Sequence, residues 1–94
     1  MRANELIAWN LRRVRVERGL SQEALAVDAG IDRTYVSRLE RVLENPTVAV
    51  LERLALALDI EIAELLRLPR QGERRPSLLP KGRHPIGPRT RRPR

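Results

Sequence analysis

Apolar residues recur at helical spacing through the first two-thirds of the chain and then stop. Ile7, Leu11 and Val14 fall at i, i+4 and i+7, one apolar stripe that predicts a first helix over residues 4–18. Asn4 is the expected N-cap. Gly19 supplies the left-handed residue that ends such a helix, and Leu20 is expected to fold back on the core. Ser21 caps a second helix, with Glu23 in the first turn where the helix dipole favours an anion. Its face of Leu25, Ala26 and Ala29 lets a neighbouring helix approach closely. Gly30 ends this helix, by its tolerance of positive φ and as a steric need at the corner, and Ile31 is expected beneath that corner. Asp32 caps a third helix over residues 33–41. Val36 and Leu39 form its apolar back, while Arg33, Thr34, Ser37 and Arg38 project from the other side. Asn45-Pro46-Thr47 is a break. Thr47 then caps a fourth helix over residues 48–58, with Val48, Leu51, Leu54, Ala55 and Leu58 toward the core. Asp59 and Ile60 make the next turn, and residues 61–68 predict a short fifth helix ending before Pro69.

Arg15 does not fit the simple pattern, because it borders the apolar stripe. Two readings of it stay open: an arginine whose stem snorkels to solvent, or one that reaches inward to a carboxylate.

Beyond residue 68 the pattern is lost. Six of the seven prolines, three glycines and nine Lys and Arg lie in the last 26 residues, and only Leu78-Leu79 is apolar at any length. Such a segment buries too little apolar surface to offset its ordering entropy, so residues 69–94 are expected to be a disordered basic tail. The chain therefore divides into one helical domain, residues 4–68, and that tail.

Composition narrows the function classes. With 94 residues there is room for one small domain. Cysteine and Phe are absent, and Trp9 and Tyr35 are the only aromatics, so the core must be aliphatic and has no disulfide or thiolate site. The one histidine, His84, lies in the tail. Without a Gly-rich phosphate loop or a metal-ligand cluster, an enzyme is not expected, and neither is a cofactor. There is no run long enough to span a membrane, and the N-terminus is unlike a signal peptide. A cytoplasmic protein is the expectation.

The formal charge of +7 points to an acidic partner, but its distribution matters more. Residues 1–68 hold ten Arg against eleven Asp and Glu, whereas residues 69–94 hold nine Lys and Arg against one Glu. The folded part is nearly neutral. Recognition must then depend on where individual charges sit, not on bulk attraction to the fold.

The run LRRVRVERGLSQEALAVDAGIDRTYVSRLER followed by ENPTVAVLERLALALDIEIAELL resembles the Cro/C1-type (XRE-like) helix-turn-helix family. The likeness covers about two-thirds of the chain. It rests on Gln22 opening the second helix, Ala26, the turn glycine Gly30, the core pair Val36 and Leu39, and an Arg four residues before the helix-ending Gly19. It implies an all-α, five-helix, lambda-repressor-like DNA-binding domain. The family often pairs an Arg late in the first helix with a Glu late in the third, here Arg15 and Glu40. Three positions depart from it. Val42 and Asp59 stand where glycines are usual, and Glu61 stands where a Ser or Thr commonly caps the fifth helix. A β-branched residue resists positive φ, so the loop after the third helix is expected either to extend that helix or to differ.

The resemblance also implies how the chain works. The third helix enters the major groove, with Arg33, Thr34, Ser37 and Arg38 toward base edges and Gln22, Tyr35 and Asn45 on the phosphate backbone. For Tyr35 the competing reading is a ring packed beside the turn, and for Arg38 a surface pair with a nearby carboxylate. The expected partner is double-stranded DNA, bound by a homodimer on a two-fold operator, with residues 60–68 supplying the subunit contact. The tail either holds phosphates or only solvates the protein. A second role on the same fold is an antitoxin or adaptor that binds another protein through the tail, with Leu78-Leu79 as anchor.

Overall fold

The computed structural model describes residues 1–70, and these are helical with no strand among them. Four α-helices follow in order: α1 (Ala3–Glu17), α2 (Gln22–Ala29), α3 (Arg33–Glu40) and α4 (Val48–Leu58). A short 3₁₀ helix, Ile62–Leu66, stands where the sequence predicts a fifth helix. Glu61 precedes it without a side-chain cap. An uncapped start and a closing Pro69 leave room for one tight turn, which the narrower 3₁₀ geometry fills. The expected tail lies outside the described residues, apart from Pro69 and Arg70.

The core is aliphatic. Ile7, Leu11 and Val14 of α1, Leu20, Leu25 and Ala26, Val36 and Leu39 of α3, Leu51, Leu54 and Leu58 of α4, and Leu65 are all buried. The third helix packs on α1 and α2, α4 packs on α2, and the 3₁₀ helix closes against α1 and α4. Two expectations fail locally. Val48 is 68% exposed, because as the first helical residue of α4 it lies beyond the edge of the core. Ile31 is only partly buried at the corner, though it packs against the core.

Helix starts follow local chemistry. Ser21 Oγ accepts from the Ala24 N–H at 2.9 Å, and Thr47 Oγ1 from the Val50 N–H at 3.1 Å. The first helix starts earlier than Asn4 would allow. Arg2 is its N-cap, and Glu5 reaches back to accept from the Arg2 N–H at 2.7 Å. Three residues separate that carboxylate from the cap, the spacing that lets an N3 acid satisfy an orphan N–H.

All four helices end in one way. A residue at positive φ turns the chain, and the next N–H bonds the carbonyl five residues back: Leu20 to Arg15 (3.0 Å), Ile31 to Ala26 (3.0 Å), Leu43 to Arg38 (2.8 Å) and Ile60 to Ala55 (3.0 Å). This is the Schellman closure. Gly19 (φ 68°) and Gly30 (φ 72°) hold the turning position after α1 and α2, but Val42 (φ 62°) and Asp59 (φ 60°) hold it after α3 and α4. The departures from the family pattern thus change the residue and keep the geometry. At Gly30 a Cβ would meet nothing nearer than Arg53 Nη1 at 3.9 Å. Backbone conformation, not crowding at the corner, is what favours glycine there.

Candidate nucleic-acid interface

The third helix has two unlike sides. Val36 and Leu39 are 0% and 1% exposed and seat it on the core. Arg33 and Thr34 in its first turn are exposed, and Ser37 and Arg38 one turn later are half-buried. The four residues expected at base edges therefore share one short helix whose other side is anchored. Asn45, beyond the helix end, is exposed.

The anchor is completed by a buried carboxylate. Glu40 is 1% exposed, and its two oxygens accept four hydrogen bonds. Arg15 Nε donates to Oε2 at 2.6 Å and Arg15 Nη2 to Oε1 at 3.0 Å, a bidentate grip. Arg12 Nε (3.3 Å) and Gln22 Nε2 (3.2 Å) also donate to Oε1. Arg15 Nη1 then donates to the Leu20 carbonyl at 2.8 Å. One side chain of α3 is tied in this way to α1, to the start of α2 and to the loop between them. Two buried charges without partners would cost several kcal/mol, and this saturation of the carboxylate offsets that cost. Of the two readings of Arg15, the structure shows the inward one.

The node also changes the picture of Gln22. Its side-chain amide is already turned to Glu40, so a phosphate at the start of α2 would meet backbone N–H groups and the remaining amide hydrogen.

A second Arg–Glu pair lies at the surface end of α3. Arg38 Nε donates to Glu44 Oε2 at 2.7 Å, and Arg38 Nη2 donates to the Leu43 carbonyl at 3.3 Å. Arg38 is thus held in a surface pair, its side chain 43% exposed. Tyr35 is partly buried and packs against the core. Burial, and secondarily the Glu44 charge, raise its phenol above the ordinary 10.0.

Several structural residues escape a reading by apolar pattern. Arg12 and Gln22 enter the Glu40 node across helices, at sequence distances no periodicity shows. Asn10 is fully buried, and its Nδ2 donates to the Leu65 carbonyl at 3.0 Å and the Arg67 carbonyl at 2.8 Å. Arg13 bridges Asn10 Oδ1 and Glu64 Oε1, both at 3.2 Å. The polar residue within the apolar stripe of α1 therefore satisfies the end of the 3₁₀ helix. Its signal was its register: Asn10 lies three residues after Ile7 and four before Val14, on the buried side. Trp9 is half-buried and lines a groove with Met1, Glu5 and Val42.

The helix-turn-helix family model (HTH_3) matches residues 11–65, the segment that spans these features. The chain belongs to this XRE-type helix-turn-helix family of DNA-binding transcription regulators. A hypothetical transcription factor from Neisseria meningitidis is 42% identical over 66 residues, 70% of this chain and 62% of that protein. The chain thus spans about three-fifths of that relative's length. The structure of the restriction-modification controller protein C.AhdI from Aeromonas hydrophila is 44% identical, with a TM-score of 0.64 over 66% of this chain and 94% of its own. SinR, the master regulator for biofilm formation, was solved in complex with DNA. It is 35% identical, with a TM-score of 0.62 over 65% of this chain and 98% of its own. Within the family's motif, α2 and α3 are the two helices and residues 30–32 are the turn between them. Among the described residues no helix is long and apolar enough to cross a membrane.

Proposed function

We propose that this helix-turn-helix regulator reads a specific duplex by placing α3 in the major groove. Arg33, Thr34, Ser37 and Arg38 face base edges, and the start of α2 at Gln22, with Tyr35 and Asn45, meets the phosphates. The carrying observation is the two-sided character of α3: a back sealed by Val36, Leu39 and Glu40, and a front with Arg33 and Thr34 exposed. An anchored helix with its hydrogen-bonding front turned outward is preorganised for a groove. Arginine suits the O6 and N7 of guanine, and threonine the methyl of thymine. The likeness to SinR, solved with DNA, supports the same reading.

The subunit contact belongs at the other end of the domain. Leu56 (74%), Leu66 (43%) and Leu68 (67%) are exposed apolar residues, near partly buried Ile60 and Ile62. They lie on α4, the 3₁₀ helix and the flanking residues, elements whose main neighbours are one another, α1 and α2. A second copy covering this face makes a two-fold dimer that reads two half-sites. The tail's excess of nine Lys and Arg over one Glu adds attraction to phosphates that does not depend on sequence.

Selection of bound duplexes from a random pool tests the whole reading. The expected result is one enriched motif with two-fold symmetry, retarded by the purified chain alone against excess competitor DNA. An unenriched pool, or retardation only when a second protein is added, defeats it. Deleting residues 70–94 is expected to flatten the salt dependence and leave the motif intact.

A further inference from the structure

We propose that Glu44, together with the Leu43 carbonyl, sets which edge of the Arg38 guanidinium reads DNA, making Glu44 a specificity-determining positioning residue. The inference rests on Arg38 facing a base edge, as proposed above, and goes beyond it to the group that aims it.

A guanidinium presents two donor forks, one from Nε and Nη2 along its side and one from Nη1 and Nη2 at its end. Glu44 takes the Nε hydrogen at 2.7 Å, and the Leu43 carbonyl takes an Nη2 hydrogen at 3.3 Å. Glu44 thereby occupies the Nε side of the group, and one of the two Nη2 hydrogens is taken by the backbone. Nη1 and the second Nη2 hydrogen are left for a partner, and the spacing of these two terminal nitrogens suits the O6 and N7 of one guanine.

The clamp is built by the helix end. Val42 at φ 62° turns the chain, and the Leu43 N–H bonds the Arg38 carbonyl at 2.8 Å. Arg38 and Leu43 are therefore joined twice, backbone to backbone and side chain to backbone. That closure brings Glu44, six residues after Arg38, to its guanidinium. A long arginine side chain otherwise loses rotamer freedom when it engages a base, and an arm already fixed loses less. The carboxylate also repels phosphates, so it weakens attachment to any duplex while it strengthens the choice among duplexes.

The test uses the full chain and a panel of duplexes in which each base pair of the selected operator is changed in turn. Arg38→Ala identifies the base pair that Arg38 reads, by abolishing discrimination there. Glu44→Ala is then expected to reduce discrimination at that same base pair by about tenfold, within the range of one bidentate contact, while the other positions keep theirs. Its affinity for unrelated duplex is expected to stay equal or rise. Glu44→Gln, which keeps an acceptor oxygen for Nε, is expected to recover part of the discrimination. In the Arg38→Ala background Glu44→Ala has no further effect on base preference. A Glu44→Ala variant that shifts affinity equally for every duplex makes Glu44 a mere charge and overturns the proposal, as does unchanged discrimination. If Arg38→Ala leaves every base preference intact, Arg38 reads no base, and the proposal falls together with that reading. If Arg38→Ala removes one preference that Glu44→Ala leaves whole, only the role of Glu44 falls.

Discussion

Helix α3 carries two arginine–carboxylate pairs of nearly equal length and opposite character. Arg15 meets Glu40 at 2.6 Å with side chains 4% and 0% exposed, while Arg38 meets Glu44 at 2.7 Å with side chains 43% and 29% exposed. Distance does not separate them; solvent does. The buried pair cannot exchange its partners for water, so it fixes α3 to α1 and α2. The surface pair is open to solvent and adds little stability. The first pair holds the helix; in the proposed reading the second aims the Arg38 side chain.

The sharpest way to break the comparison is at Glu40. Glu40→Ala leaves the Arg15 charge buried and removes the acceptor of Arg12 and Gln22, so a loss of about 3–5 kcal/mol is expected in urea or thermal unfolding. Apolar replacement of both Arg15 and Glu40 is expected to recover only part of this, because Arg12 and Gln22 still lack their acceptor. Next in size is Asn10→Leu. It strands the Leu65 and Arg67 carbonyls, and a loss of about 1–3 kcal/mol is expected by the same measurement, with faster hydrogen exchange in the 3₁₀ helix. Val42→Gly acts in the opposite direction. It relieves a β-branched residue at positive φ, and a net gain of about 0.5–1 kcal/mol is expected after the extra freedom of glycine in the unfolded chain is subtracted.

The smallest effect on stability is expected at Glu44, where Ala costs under about 1 kcal/mol, as for other surface pairs. Equal losses for Glu40→Ala and Glu44→Ala would erase the distinction between the pairs. Glu44→Ala is also expected to lower the Tyr35 pKa, followed by ultraviolet titration, but to leave it above 10.0, since burial is the larger cause of the shift. The unfolded phenol ionises first, so the shift's contribution to stability is whole below pH 10 and declines as pH rises past the unfolded value.

The helices and their starts were legible along the chain because they depend on short-range chemistry. Ser21 and Thr47 cap where they stand, and the spacing of Ile7, Leu11 and Val14 marks a buried stripe. Asn4 misled because the helix already starts two residues earlier at Arg2, whose N–H donates to Glu5. Val48 misled because the periodicity of α4 says nothing about how far the core extends. At the proposed interface, Arg33, Thr34, Ser37 and Arg38 were visible as the polar front of a helix with an apolar back. A carboxylate partner for Arg38 was one open reading, but not that it is Glu44, because that relation runs across a helix end and depends on the chain turning there.

The amino-acid order alone determined an aliphatic, all-helical domain, the position of its helix-turn-helix, and the gathering of its basic excess in a Pro- and Arg-rich segment apart from that domain. Each follows from periodicity, capping chemistry or composition, which act over a few residues. Only the tertiary structure decided that Glu40 gathers Arg12 and Gln22 as well as Arg15, that Asn10 closes the far end of the domain, and that Val42 and Asp59 take the left-handed turn glycine usually makes. A buried donor or a strained φ is tolerated only when surrounding contacts compensate it, and those contacts come from residues far apart in sequence.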